Sequence, residues 1–327
     1  VLDNHYKTKY DGYLTDIKTR AFGDQVTYKA KDHTVVGGFD WRQDKVVNMG
    51  GIKLTNTSYF LQDEWKVAPK WTVTPGVRVD HHSAFGTHTS PSISVGYDVN
   101  AKTNVYAAYK EYFLAPTSYQ LFDGTYGNRN LKPETGHEWS VGAHHKFGKT
   151  WNSNLSFFSR STKDKIGWAT NPATGTVQYQ NFDTEKAHGI NADVRKQLTK
   201  HLSARLGYTY THIDATPTRK ANRDGYVPKH AVNAGLDYND AKWDAHLDIR
   251  GVIDRPGPAA NIFPRTTYWI TDISANYRVR ENVTVFGRVN NLFDTYYAEQ
   301  SNVRWGNAGD WWPGQGRNFR LGVEVTI

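Results

Sequence analysis

The 327-residue chain has no cysteine and a single methionine. The first absence excludes disulfides, zinc–thiolate centres and thiol nucleophiles. No run approaches the roughly 18 apolar residues of a membrane-crossing helix, and mean hydropathy is only -0.69. No stretch carries the 3.6-residue apolar period of an amphipathic helix. Dense basic runs are also missing. The 40 Lys and Arg are interleaved with 32 Asp and Glu, so the net charge of +8 is spread along the chain, which argues against a nucleic-acid partner. No grouping of Ser, His and carboxylates stands out as a catalytic cluster, so an enzyme is not expected.

Aromatics are abundant instead: 14% of residues, with 11 Trp and 20 Tyr. Such side chains suit a boundary with a greasy side and a wet side. Period-two alternation recurs throughout. Trp243, Ala245, Leu247 and Ile249 alternate with Asp244, His246, Asp248 and Arg250. Phe319, Leu321, Val323, Val325 and Ile327 alternate with Arg320, Gly322, Glu324 and Thr326. This is the signature of strands with one apolar and one polar face. Strands are expected at 20–30, 34–43, 56–66, 71–82, 90–98, 103–113, 136–147, 151–162, 185–198, 203–213, 229–238, 243–253, 268–279, 283–294 and 317–327. Residues 1–10 read as the end of a strand already under way, and Val1 is not a native-looking start, so the later part of a longer protein is expected.

The connections alternate in length. Tight turns are expected at 31–33, 67–70, 99–102, 148–150, 199–202, 239–242 and 280–282, and long loops near 44–55, 83–89, 114–135, 163–184, 214–228, 254–267 and 295–316. An up-and-down meander collects all the short turns at one end and all the long loops at the other, the layout of a transmembrane antiparallel β-barrel. A β-sandwich would need Greek-key crossings and a dry core, and a propeller would repeat a blade motif. Asp244, His246, Asp248 and Arg250 share one strand face. A wet lumen accommodates them, whereas a dry core would leave charges unpaired.

Residues 112–135 read YFLAPTSYQLFDGTYGNRNLKPET. This resembles the paired boxes of TonB-dependent outer-membrane receptors. Phe113, Ala115 and Pro116 match the first box, with Leu114 where Arg is usual; Asn128, Asn130, Leu131, Lys132, Pro133 and Glu134 match the second. RVNNLFDTYY at 288–297, with Asn290, Asn291, Leu292 and Phe293, resembles the family's penultimate-strand signature, and GRNFRLGVEVTI its closing strand, with Ile327 where an aromatic is usual. The boxes also have a purely structural reading, since Pro stops strand pairing and Asn favours turns.

The resemblance implies that residues 1–327 are one barrel portion, about the last 15–16 strands of a barrel of about 22, with the plug and its TonB box outside the chain. It implies no enzyme and no resident cofactor. It implies active import across the outer membrane of a Gram-negative (diderm) bacterium, energised by the TonB–ExbB–ExbD complex through the plug. The cargo would be a scarce metal chelate, most simply an iron–siderophore complex; cobalamin, haem or a passive porin are the alternatives. Thr117–Gly127 contains no His, which disfavours haem, whose receptors in this family place an axial ligand there. An anionic ferric chelate favours Arg, Lys and aromatic rings. The loops offer Tyr119, Phe122 and Tyr126 between the boxes, and Tyr296, Tyr297, Arg304, Trp305, Trp311 and Trp312 in the last loop. Arg219, Lys220, Arg223, Arg255 and Arg265 lie in others. Of these, Tyr119, Phe122, Tyr126, Arg304, Trp305, Trp311 and Trp312 are the candidate ligand contacts. Trp71, Trp139, Trp151 and Trp243 beside short turns suit an interfacial girdle. His81, His82 and His88 surround one loop, but their spacing matches no standard metal site, and ordinary wet-face histidines are the simpler reading. His144 and His145 lie near a short turn. The basic excess also suits the phosphates of lipopolysaccharide and outer-membrane lipid.

Overall fold

A computed structural model describes residues 1–10, 13–171, 175–215, 227–255, 267–301 and 311–326. The strands are β1 (Leu2–Tyr10), β2 (Tyr13–Ala30), β3 (His33–Val46), β4 (Ile52–Ala68), β5 (Trp71–His82), β6 (Gly86–Asn100), β7 (Thr103–Leu114), β8 (Glu134–Phe147), β9 (Trp151–Thr170) and β10 (Val177–Gln197). They continue as β11 (Leu202–Ala215), β12 (His230–Asn239), β13 (Trp243–Ile253), β14 (Tyr268–Arg280), β15 (Val283–Asn290), β16 (Ala298–Ser301), β17 (Trp311–Pro313) and β18 (Asn318–Val325). One short helix, α1 (Ser118–Phe122), lies between β7 and β8. Strand order in the 16-stranded sheet is chain order, β1 to β15 and then β18. The fold is therefore an all-β, antiparallel, up-and-down sheet.

Two compact units are present. One comprises Val1–Val99, Val105–Val141 and Ser159–Lys186; the other Asn100–Asn104, Gly142–Phe158 and Ala187–Ile327. In the first unit, registry places Phe22 opposite Trp41, Val26 opposite Gly37, Gly37 opposite Leu61 and Leu61 opposite Val77. These residues make a single apolar face, interrupted by Asp24, whose carboxylate accepts a hydrogen bond from the Gln25 N–H at 2.9 Å. The opposite face carries Asp40, Arg42, Asn56, Ser58, Arg78 and Asp80 in adjacent rows. The second unit repeats the scheme. Leu206, Ala234, Ile249 and Thr271 share one face across four strands, while Asp237, His246, Ser274, Arg288 and Arg320 share the other across β12 to β18.

Among the described residues, nothing covers the apolar faces. Val26 is 68% exposed, Tyr59 63% and Leu321 82%, whereas water would disfavour each such side chain by about 1.5–3 kcal/mol relative to burial. Only a hydrocarbon solvent reconciles a continuous apolar face with so little coverage. No helix among the described residues is long and apolar enough to cross a membrane.

The expected tight turns all occur. Three expected long loops, 44–55, 83–89 and 163–184, are instead mostly strand. β3 and β4 pair as far as Val46 opposite Ile52, β5 and β6 as far as His82 opposite Gly86, and β9 runs on to Thr170. Sheet pairing is a backbone property, so polar residues continue the ladder in water where the apolar alternation has ended. The expected strand at 283–294 stops at Asn290, because Asn291 and Asp294 turn the chain at φ 51° and 53°. Helix α1 and the β16–β17 hairpin went unforeseen, being too short to show a period. Ile327 lies outside the described residues.

Candidate ligand-binding site

On the polar face of the first unit, Arg78 ties three strands together. Its guanidinium donates to Asp40 at 2.9 Å, to Asp80 at 3.0 Å and to Ser58 Oγ at 2.5 Å. Asn56 donates to Asp80 at 2.8 Å, so this carboxylate, in a residue only 3% exposed, has the partners a buried charge requires. Nearer the loops, Arg42 grips Asp44 with two nitrogens at 2.9 and 3.1 Å, and Thr19 donates to the same carboxylate. Forked geometry of this kind fixes the guanidinium plane.

Two cavities open beside this network, each of about 360 Å³. The first is lined by Arg42, Asn56, His82, Phe113, Pro116 and Thr117; the second by His82, Phe85, His88, Phe113, Lys132 and Asp164. His82 and Phe113 belong to both. The rings are held by ring contacts, His82 stacked on Phe85 at 4.4 Å and His88 tilted against Phe113 at 4.5 Å. His81 points from the opposite face and bonds Thr87 Oγ at 3.0 Å. The three histidines therefore do not converge, and among the described residues no cluster of three or more His, Cys, Asp or Glu could hold a metal. The cavities combine imidazole and aromatic rings with charges of both signs, Arg42 with Asp44 in the first and Lys132 with Asp164 in the second, a lining suited to a flat ligand with polar edges. Phe113, Ala115 and Pro116 line the first cavity and Lys132 and Pro133 the second. Arg42 and Asn56 escaped the sequence reading. Both lie within the expected strands 34–43 and 56–66, where alternation places them on the wet face without separating them from its other polar residues.

The segment between the boxes builds its own scaffold. Thr117 and Gln120 cap α1 reciprocally, at 3.2 and 2.8 Å. Leu121, Leu131 and Ile166 form a small core with Leu54, Phe85, Phe122 and Tyr179 packed against it. Asp123 accepts hydrogen bonds from the N–H groups of Thr125 and Tyr126, and Tyr126 O accepts one from Tyr179 N. Asn128 donates to Tyr179 O at 2.8 Å, and its carbonyl receives the Asn130 N–H at 2.9 Å. Asn181 accepts from the Lys132 N–H and donates back to Lys132 O. Glu134, 6% exposed, receives Lys165 Nζ at 2.7 Å and the Ile166 N–H at 2.9 Å. Phe122 thus packs on the loop core beneath Arg129, and Tyr126 is half-buried. Only Tyr119 of the three aromatics is exposed, its edge against Tyr179.

In the second unit, Asn290 bonds Asn318 at 2.7 Å. Asn291, 2% exposed, donates to Thr295 O and Gln315 O and accepts the Thr295 N–H. The Leu292 N–H bonds Thr271 O, and Phe293 is 71% exposed. Tyr297 and Arg255, counted among the aromatic and basic residues of the long loops, are buried. Tyr297 packs with Tyr268 and Ile270, and Arg255 donates to Ala298 O at 2.5 Å while lying over Tyr268. Both secure the root of the last loop, whereas Tyr296 stays exposed. Trp311 and Trp312 form the backbone of β17. Their side chains, and Arg304, Trp305, Arg219, Lys220, Arg223 and Arg265, lie outside the described residues.

The family model described as "TonB dependent receptor-like, beta-barrel" matches residues 2–292. The iron-regulated outer membrane virulence protein of Vibrio cholerae is 27% identical over 320 residues, covering 88% of this chain and 47% of that protein. The vitamin B12 transporter BtuB of Photobacterium profundum is 26% identical over 284 residues, covering 80% and 43%. Among solved structures, a mutant of the ferric enterobactin receptor PfeA of Pseudomonas aeruginosa in complex with enterobactin matches with a TM-score of 0.76 at 18% identity, covering 96% of this chain and 55% of that one. The siderophore receptor PirA of Acinetobacter baumannii gives 0.72 at 17%, covering 98% and 56%. The chain spans about half the length of these relatives.

Proposed function

This chain belongs to the TonB-dependent receptor family, transport receptors of the outer membrane, and from that premise we propose that it forms the barrel wall and ligand-contacting rim of a ferric-siderophore importer. The observation that carries the reading is the pair of cavities sharing His82 and Phe113, with the Arg42–Asp44 pair at the wall of the first and Lys132 and Asp164 at the wall of the second. A ferric chelate with aromatic arms suits such a lining: rings for its faces, guanidinium and ammonium for its oxygen atoms. The box residues support this indirectly, by holding the segment that lines the cavities. Energy would come through TonB acting on the plug, since binding alone moves nothing against a gradient.

Cobalamin is the second reading, favoured by the B12-transporter relatives. The test is growth and radiolabelled uptake by a strain lacking the full-length protein, on a panel of ferric catecholates, ferric hydroxamates, haem and cobalamin. Loss of one ferric chelate only, restored by the wild type, supports the proposal. Loss of cobalamin alone assigns the second reading. Uptake that continues after the inner membrane is de-energised identifies a passive pore. In purified full-length protein, Arg42→Ala and Phe113→Ala each weaken binding of the identified chelate about tenfold.

A further inference from the structure

On β11 the apolar face of the second unit runs through Leu206, Tyr208 and Tyr210 at two-residue spacing. The next residue on that face, toward the loop, is His212. On β10 the alternation Val194, Ala192 and Ile190 leads in the same way to His188. Where the apolar pattern ends, each strand therefore presents an imidazole. The two rings lie 4.9 Å apart, tilted by 42°. On the opposite face the same strands are tied by Thr209, whose hydroxyl donates to Asn191 Oδ1 at 3.1 Å. His188 is exposed, and the His212 side chain keeps 42% of its surface. Neither ring lines the two cavities of the candidate site.

A hydrogen bond behind the pair separates it from ordinary wet histidines. His212 Nε2 lies 3.1 Å from Asp214 Oδ1. A carboxylate only accepts, so Nε2 carries the proton and the neutral ring keeps its lone pair on Nδ1. Among the described residues Nδ1 has no partner, and His188 makes no hydrogen bond or ion pair. A metal-bound imidazole characteristically gives its other N–H to a carboxylate, which fixes the tautomer and strengthens the donor nitrogen. The separation fits as well. With metal–nitrogen bonds of about 2.0–2.1 Å and ligand angles of about 90–110°, the ring centres of two imidazoles on one ion stand about 4.5–5.2 Å apart. Asp214 stays behind the ring, so the protein supplies two ligands and water the rest. Such a site needs no cluster of three ligating residues, and the described residues contain none.

We propose that His188 and His212 bind a divalent transition-metal ion, with Asp214 orienting His212, and that the ion clips β10 to β11 at the loop-side edge of the apolar face. Imidazole selects copper, nickel and zinc over calcium and magnesium, and Cu2+ binds tightest of these. Two protein ligands and open positions make an exchangeable site, unlike the closed four-ligand site of a structural zinc. The site is independent of the cargo, so it stands or falls separately from the importer reading.

The experiment uses the purified, tag-free full-length protein in detergent micelles, titrated with Cu2+ and followed by electron paramagnetic resonance. Wild type binds one equivalent more than His188→Ala/His212→Ala, and the difference spectrum carries hyperfine splitting from two nitrogens. Asp214→Asn weakens that equivalent about tenfold, whereas His201→Ala at a short turn leaves it unchanged. Saturating Zn2+ slows hydrogen exchange of the Ile213 amide in wild type and not in the double variant. Should the double variant fail to fold, His188→Ala and His212→Ala must each remove one nitrogen splitting. Equal stoichiometry in wild type and double variant overturns the proposal. So does a difference spectrum with one nitrogen or none, or an unchanged affinity in Asp214→Asn.

Discussion

Truncating Glu134 tests whether the second box is a clamp. Glu134 is 6% exposed, and its carboxylate is shared between Lys165 Nζ at 2.7 Å and the Ile166 N–H at 2.9 Å. Glu134→Ala leaves a lysine whose side chain is 16% exposed without its counter-charge, and a buried amide without that acceptor. Breaking a buried pair from one side costs about 3–5 kcal/mol. Because Lys165 keeps some access to water, the lower end applies, about 3 kcal/mol. At 1.4 kcal/mol per factor of ten, the protection of the Ile166 amide against hydrogen exchange falls about a hundredfold. Amides at the short turns, such as Lys242, keep theirs. The double variant Glu134→Leu/Lys165→Met is less damaging than Glu134→Ala, since no charge is left stranded. Unchanged exchange at Ile166 in Glu134→Ala, or a double variant no better than the single one, would refute the clamp.

The remaining predictions concern the second unit. Asn291→Ala removes three side-chain hydrogen bonds and puts a Cβ-bearing residue with no capping amide at φ 51°, for a loss of about 3–4 kcal/mol in urea unfolding. Asn291→Gly spares the backbone term and is milder by about 1 kcal/mol; equal losses would show that left-handed geometry is irrelevant there. Asp240, in the turn between β12 and β13, is held at about 2 by the Tyr238 hydroxyl and then by the N–H groups of Trp243 and Lys242. Its folded value lies below the ordinary 3.8, so its contribution is complete above that pH and is lost as pH falls through about 2. Carboxylate NMR should show Asp240 still ionised at pH 3, and Asp240→Asn should flatten the acid dependence of exchange in this turn. Gly314→Ala pushes a methyl into the Tyr297 ring, closer than van der Waals contact, and should loosen the β16–β17 hairpin, read as faster proteolysis of the last loop with uptake by the remaining barrel reduced.

Strand identity was legible wherever two solvents meet the sheet. Trp243 to Ile249 and Phe319 to Val325 announce their faces by alternation alone, because hydrocarbon lies on one side and water on the other. The tight turns were legible for the same reason: the pattern breaks and restarts within a few residues. The candidate site was legible only in part. Motif resemblance found Phe113 and Lys132, but not Arg42 or Asn56, and two residues counted with the loops, Tyr297 and Arg255, are buried. Composition cannot say whether a loop aromatic faces a ligand or its own loop. That is decided by partners distant in sequence, as when Ala298 O captures Arg255.

What sequence concealed most completely were the outer ends of the strands. There both faces are wetted, alternation vanishes, and residues such as Lys45 and Lys53 look like loop. Backbone pairing nevertheless continues, and it imposes a registry that no one-dimensional pattern displays. The consequence is electrostatic. Lys18, Lys45 and Lys53, 27 and 8 residues apart along the chain, become neighbours about 4.8 Å apart across strands, on one face of the sheet. Had 44–55 been an irregular loop, these charges could have separated. The ladder holds them together against their repulsion, because each strand's register is fixed by its whole run of backbone hydrogen bonds and not by the three side chains.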